Sequence, residues 1–113
     1  MEVKIDAYIH IWSKIFSPEI LESIIEFPTD LDEDTQYHLE EDIMCHLSQL
    51  QEFKNLEEGT FYRCFGTAML TYDSYYSEYY GSREYDSDLE LNDGFQLIKI
   101  TEMEARKKGF IDE

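Results

Sequence analysis

The sequence YDSYYSEYYGSREYDSDLELNDG, residues 72–94, contains six tyrosines and seven acids but a single base, Arg83. Asp86, Asp88 and Glu90 alternate there with serine and leucine, a pattern typical of a half-buried β-strand. Alternate side chains of a strand share one face and repeat about every 7 Å. The stretch therefore predicts a row of carboxylates along a strand, with a tyrosine-rich segment before it.

The carboxylates and tyrosines together indicate a surface that binds a basic partner. Phosphates of a nucleic-acid strand rise about 3.4 Å per nucleotide and lie further apart along the spiralling backbone, which is close to the carboxylate repeat. Tyrosine supplies rigid aromatic area with a polar tip, as interface anchors do. The alternative is a solvated strand face that follows a tyrosine-rich loop. The partner-binding residues predicted here are Asp73, Tyr75, Tyr76, Glu78, Tyr79, Tyr80, Glu84, Asp86, Asp88 and Glu90.

The composition of the whole chain constrains its class and its partners. The 113 residues suffice for one domain, 1–113, and contents of 42% hydrophobic and 15% aromatic residues argue against disorder. The net charge is −17, with 26 acids against 9 bases. Such a charge repels nucleic acid and anionic membranes, whereas a basic protein that binds nucleic acid complements it.

A second acid-rich region surrounds the start of a predicted helix. Residues 15–53 contain eleven acids and no lysine or arginine. Two separate acidic regions in one small chain favour a functional role for the charge. The residues of this region that join the predicted partner-binding set are Asp30, Asp32, Glu33 and Asp34.

The N-terminal half predicts one strand and two helices. Residues 3–11 alternate between apolar and polar side chains, which indicates a strand with one buried face. Ser17, Pro18 and Glu19 suit the start of a helix, which is expected to end before Pro28. The second helix shows an apolar stripe at helical spacing, formed by Leu39, Ile43, Leu47, Leu50 and Phe53.

The C-terminal half predicts three strands and a short helix. The strands are residues 60–72, 85–91 and 95–100, with a tight turn at 92–94 that makes the last two antiparallel. Gly66 indicates a bulge or a close neighbour, and Thr101 begins the last helix with a capping-box pattern. The order β-α-α-β-β-β-α predicts an α+β fold. It comprises a four-stranded, mostly antiparallel sheet, two helices after the first strand and a short C-terminal helix, all on one face of the sheet.

One group of acids has the spacing of a calcium-binding loop. Asp30, Asp32, Asp34 and Glu41 fall at the acid positions of such a loop, but Thr35 stands where the loop needs glycine. The more ordinary interpretation is a set of acids at the N-terminus of a helix, where they complement its dipole.

Two histidines have the spacing of a zinc pair. His38, Asp42 and His46 step by four residues along the second predicted helix and line one side of it. His46 lies within the apolar arc of that helix, which favours a core histidine satisfied by hydrogen bonds.

No other pattern carries chemistry, so neither an enzymatic activity nor a cofactor is predicted. Cys45 and Cys64 lack CxxC spacing and are expected to be reduced thiols, with one long-range disulfide as the alternative. The first ten residues lack the features of a signal peptide, and no apolar run reaches the length of a membrane span. A cytoplasmic location is therefore expected.

In size, net charge and acidic helix face, the chain resembles the small acidic proteins that phages encode to disable host enzymes. These include DNA mimics that block restriction or CRISPR nucleases. The resemblance is one of composition and extends over the whole chain. It implies an anti-defence inhibitor that acts in the host cytoplasm and occupies the nucleic-acid groove of a basic enzyme or defence complex. The alternatives are an adaptor that docks through the tyrosine-rich patch without mimicry, and a small metal-binding or catalytic domain.

Overall fold

The sheet is built around its longest strand, which pairs with three of the other four. The computed structural model describes residues 1–111, which form an open antiparallel sheet of five strands and two helices, so the α+β class is confirmed. The elements are β1 (Glu2–Ile11), β2 (Glu19–Glu26), α1 (Glu33–Ser48), a 3-10 turn (Gln51–Asn55), β3 (Thr60–Ser77), β4 (Ser82–Leu91), β5 (Gln96–Ile100) and α2 (Glu102–Lys107).

The main core lies between β1 and α1, as their sequence patterns predict. Five alternate side chains of β1, from Val3 to Ile11, are buried. Leu39, Ile43 and Leu47 of α1 are fully buried against the same face of the sheet. The remaining two members of the predicted apolar stripe lie beyond α1, where Leu50 precedes the 3-10 turn and Phe53 is buried within it.

The predicted helix after Ser17 is wrong, because this segment forms strand β2 and pairs antiparallel with β1. Three isoleucines in β2 are β-branched and favour a strand. Leu21 has no partner in the register between the two strands and forms a β-bulge next to Ile20. The bulge interrupts the alternation of apolar residues, which explains why the segment resembles a helix in sequence. The sheet therefore has five strands instead of four.

The predicted pairing of residues 95–100 with residues 85–91 is also wrong. Strand β5 pairs with residues 61–65 of β3, and β4 pairs with residues 68–77 of the same strand. Both run antiparallel to β3 along one of its edges, so the segment between them continues along that edge instead of reversing. Asn92 maintains this course, because its backbone N–H donates to the Thr67 carbonyl at 3.1 Å and its amide to the Thr67 hydroxyl at 2.9 Å.

Gly66 allows the chain to pass from β4 to β5, and the predicted close neighbour is confirmed. Its φ is +148°, and a Cβ placed there would lie 2.8 Å from the Cα of Phe95. Only glycine combines this backbone conformation with so close an approach.

Beyond the body of the sheet, β3 and β4 continue as a two-stranded hairpin. The pairing of β1 with β3 ends at Met69, whereas β3 and β4 remain paired as far as Ser77 and Ser82. We name residues 71–88 the arm and residues 78–81, the turn that joins its strands, the tip. The predicted tyrosine-rich loop is thus mostly strand, and it lies at one end of a molecule that measures 47 × 29 × 25 Å.

The two helices lie on opposite faces of the sheet, which corrects the prediction of a single helical face. α2 packs through Ala105 on Phe61 and Ile100, whose side chains face away from α1. Thr101 caps α2 by accepting the Glu104 backbone N–H at 3.1 Å, as the capping-box pattern predicts. No helix within residues 1–111 is long and apolar enough to cross a bilayer.

We expect the substitution Gly66→Ala to destabilise the fold by about 3 kcal/mol, because an unfavourable φ and a clash with Phe95 add together. The matched control is Gly59→Ala, where φ is +89° but no atom lies within 4 Å of the added methyl group. Its cost should stay near 1 kcal/mol, from backbone strain alone. Urea unfolding measures both, and equal costs would contradict the proposed close approach.

Candidate protein-interaction surface on the acidic arm

The strand register places the predicted carboxylates on one face of the arm. Asp73 pairs directly with Asp86, and its neighbours along the ladder are Tyr75 opposite Glu84 and Thr71 opposite Asp88. These side chains point away from α1, since the intervening residues of β4 face that helix. They lie on the face that α2 covers only near Phe61 and Ile100 and that stays open along the arm. We name this set the carboxylate column, which comprises Asp73, Glu84, Asp86, Asp88, Glu90 and Glu2.

Glu2 belongs to the carboxylate column although it lies at the other end of the sequence. Met69 of β3 pairs with Glu2 of β1 on one side and with Glu90 of β4 on the other. Paired residues share a face of the sheet, so the two carboxylates lie on the same face with Met69 between them. The alternation of β1 predicts that Glu2 faces away from the core. Its proximity to the arm depends on the pairing of β1 with β3, which no local pattern reveals.

Arg83, the single base of the region, does not neutralise the carboxylate column. It pairs with Tyr76 on the opposite face of the arm and donates to the Ser74 hydroxyl at 3.0 Å. No lysine or arginine of the arm shares the face of the column. Along β4 the column is therefore a row of negative charge with a repeat of about 7 Å, in which Glu84 is half-buried and Asp86, Asp88 and Glu90 are exposed.

Asp73 and Asp86 face each other directly across the ladder, and both are exposed. Like charges at directly opposed positions of an antiparallel pair are destabilising. The pair therefore lowers the stability of the arm, and a bound cationic group at this position would relieve the repulsion.

The predicted tyrosines are brought to one end of the molecule but are divided between surfaces. Tyr75 lies on the face of the carboxylate column, Tyr76 on the face of α1, and Tyr79 and Tyr80 on the tip. Tyr79 is 89% and Tyr80 71% exposed, and their rings meet edge to face at 4.9 Å. Glu78 lies beside them in the same turn. The tip thus presents a pair of largely exposed aromatic rings.

The acids of residues 30–34 lie on the other side of the arm from the column. α1 begins beside Tyr85, because the Thr35 and Tyr85 hydroxyls are 3.3 Å apart and the His38 ring stacks on Tyr85 at 4.7 Å. Asp32 caps this helix, and its bonds from the backbone N–H and hydroxyl of Thr35 lower the pKa of its carboxyl. Asp34 lies 3.7 Å from His38. The two acidic regions predicted from sequence, which include Asp30 and Glu33, therefore flank the arm on opposite faces and do not merge.

Three of the side chains considered for metal sites, His38, Asp42 and His46, instead contact the arm. Ser87 donates to Asp42 at 2.8 Å and contacts Nε2 of His46 at 3.1 Å, so the serine links the two helical side chains. His46 is thereby satisfied by a hydrogen bond, as predicted, but it is half-buried and does not lie in the core. Helical geometry begins at Glu33, so Asp34 and Glu41 project from a helix and not from a loop. Among residues 1–111, no three or more His, Cys, Asp or Glu side chains are grouped to hold a metal ion.

The surroundings of Ser87 and Cys64 differ from those of activated nucleophiles. The Ser87 hydroxyl donates its proton to the Asp42 carboxylate and not to His46. In an activated serine the histidine accepts the hydroxyl proton and the carboxylate binds the histidine. Cys64 is fully buried, and burial raises its pKa to about 11. Cys45 is exposed, and both cysteines are free thiols.

Comparison with protein-family models, curated proteins and solved structures found no match to this chain. The geometry of the arm is therefore the basis for assigning a function. It combines a row of carboxylates that form no ion pair within residues 1–111, an aromatic tip and further acids on the opposite face.

We expect Asp86→Asn to raise the free energy of unfolding by about 0.5 kcal/mol at low salt, because it removes a directly opposed like charge. The gain should shrink at high salt, where screening already weakens the repulsion. A double-mutant cycle with Asp73→Asn, followed by urea unfolding, isolates the pair from the surrounding acids. A coupling energy of zero between the two substitutions would contradict direct repulsion between Asp73 and Asp86.

Proposed function

We propose that this protein is an acidic interaction module whose arm enters the basic groove of a nucleic-acid-binding protein and blocks it by nucleic-acid mimicry. The observation that carries the proposal is the carboxylate column, which has no base on its face of the arm while Arg83 is held on the other face. A surface of this kind leaves its charge available to a partner instead of satisfying it internally.

The shape of the arm supports occupation of a groove. A two-stranded ribbon projects beyond the body of the sheet, with the column on one face and the acids at the start of α1 beside the other. A partner groove lined with lysine and arginine could therefore contact negative charge on both of its walls. The carboxylate repeat along β4 provides the regular spacing that such residues meet on a phosphate backbone.

The tyrosines supply the binding energy and the selectivity that charge alone does not provide. Charge speeds encounter and disfavours wrong partners, whereas buried aromatic anchors contribute most of the binding energy at interfaces. Tyr79 and Tyr80 stand at the leading end of the arm, and Tyr75 lies beside the column. In this proposal they pack against the floor of the groove and determine which basic protein is bound. The resemblance to acidic phage inhibitors makes a host defence nuclease the first class of partner to test.

We expect Asp86→Lys together with Asp88→Lys to weaken partner binding by about tenfold or more at low salt, because close interfacial charge pairs couple by about 1.5 kcal/mol or more. The measurement is capture of a partner from host lysate, elution by a salt gradient, and competition with duplex DNA. If the arm mimics nucleic acid, the captured partner should be an enzyme that acts on nucleic acid. It should elute early in the salt gradient, and duplex DNA should displace it.

The matched control carries the same change of charge outside the arm, as Glu19→Lys with Glu52→Lys, both of which are exposed. It should retain most of the binding. Equal loss in the control would show that total charge matters and the arm does not. Binding that ignores both salt and DNA would contradict mimicry.

The second candidate function is an adaptor or inhibitor that docks through the tip without mimicry, and the 89% exposure of Tyr79 favours it. Under this alternative, Tyr79→Ala with Tyr80→Ala should weaken binding by about 30-fold or more, as for paired hot spots. Charge reversal at Asp86 and Asp88 should then have little effect. Tyr37→Ala, at an exposed tyrosine of α1, is the control. The affinities of the captured partner for the two double variants distinguish the candidates.

A further inference from the structure

A groove without a single acid lies at the end of the molecule opposite the tip. The loop between β1 and β2 leaves the sheet beside Thr60, the first residue of β3, whereas the tip follows its last residue. The loop forms one wall of the groove, and the end of α1 with the 3-10 turn forms the other. The groove has a volume of about 390 Å³, enough for two or three side chains.

The lining of this groove differs in charge from the rest of the chain. Twelve residues line it, and they include Lys14 and Lys54 but no aspartate or glutamate. Acids outnumber bases 26 to 9 in the whole sequence. Lys54 forms no ion pair with any residue of 1–111 and is exposed, so its ammonium group is available to a ligand.

The rim of the groove carries exposed apolar side chains. Ile15 is 86% and Phe16 63% exposed. Trp12 stacks on Phe16 at 5.5 Å and donates its indole N–H to the Ser17 carbonyl at 2.9 Å, which braces the loop. Such exposed apolar surface in a braced loop is typical of a contact site.

The base of the loop is anchored to the body of the protein. The Ser13 hydroxyl accepts the backbone N–H groups of Ile15 and Phe16, at 3.1 and 3.3 Å. The Lys14 backbone N–H donates to the Glu58 carboxylate at 3.1 Å, and its ammonium group donates to the Leu56 carbonyl. The backbone of the loop is therefore fixed before any ligand arrives, which lowers the entropic cost of binding.

We propose that this groove is a second binding site, which takes an acidic peptide segment carrying a bulky apolar side chain. The apolar side chain packs between Phe16, Ile15 and Leu50, and a neighbouring carboxylate pairs with Lys54. The protein then bridges two partners of opposite charge, a basic one at the arm and an acidic one at the groove.

Charge favours this occupant over two others. A second copy of the chain would bring two molecules of net charge −17 together, and an anionic lipid surface would repel the same charge. A short acidic segment carries less charge than either of these and therefore meets less repulsion at physiological salt. The Debye length of about 8 Å screens the distant arm but leaves a direct contact with Lys54 effective.

The experiment is selection of random twelve-residue peptides displayed on a library, at physiological salt, on the intact protein. Peptides that also bind the variant Phe16→Ser with Lys54→Glu are discarded, which removes those that bind the arm. We expect the survivors to combine phenylalanine, leucine or tryptophan with aspartate or glutamate. Survivors that are basic, survivors that are apolar without acids, or no survivors at all would overturn the proposal.

A single-site comparison keeps the test valid if the double variant misfolds. A selected peptide should bind Lys54→Glu about two- to fivefold more weakly, as expected for one exposed ion pair turned repulsive. It should bind Lys107→Glu, which alters an exposed lysine of α2, with unchanged affinity. Equal loss in both variants would overturn the site. A dimer detected by light scattering and abolished by Phe16→Ser would also overturn it, in favour of a second copy. No arm residue is changed, so the outcome is independent of the function proposed for the arm.

Discussion

Pairing along the whole length of β3 is the constraint on which the rest of the structure depends. β1 covers only the first ten residues of one edge, so the remaining length of β3 has β4 as its sole neighbour and projects as the arm. The other edge is shared by β4 and β5, and this arrangement requires Gly66 where Phe95 crosses. The open face, the carboxylate column and the separation of the acidic regions all follow from this one strand.

Patterns within single elements are sufficient to predict much of the fold. Alternation in β1 and the apolar stripe of α1 predict both elements, because each buries one face in the same core. The alternation of Asp86, Asp88 and Glu90 predicts their common exposed face, since it depends only on the period of a strand. The glycine within β3 signals a close neighbour in the same local way.

Features that depend on pairing between distant segments are not predictable from these patterns. The bulge at Leu21 breaks the alternation of β2, so its sequence resembles that of a helix. That this segment is a strand follows only from its pairing with the edge of β1. Glu2 joins the column through the register of β1 with β3, across most of the sequence. The face on which Arg83 lies depends on the length of the turn at the tip. This length sets the register of β3 with β4 and so pairs Arg83 with Tyr76, away from the carboxylate column. Composition therefore predicts an acidic surface, whereas topology determines where its charge is unopposed.

The charge is distributed unevenly along the length of the molecule. The groove lined by Lys14 and Lys54 lies at one end of the 47 Å axis, and the arm with its carboxylates lies at the other. Such a distribution has an electric dipole moment along the long axis in addition to its net charge. For the basic partner proposed above, the field of that partner would exert a torque on the dipole and turn the arm forward before contact. The proposed function therefore implies that the shape and charge of the chain raise the association rate before any side chain touches the partner.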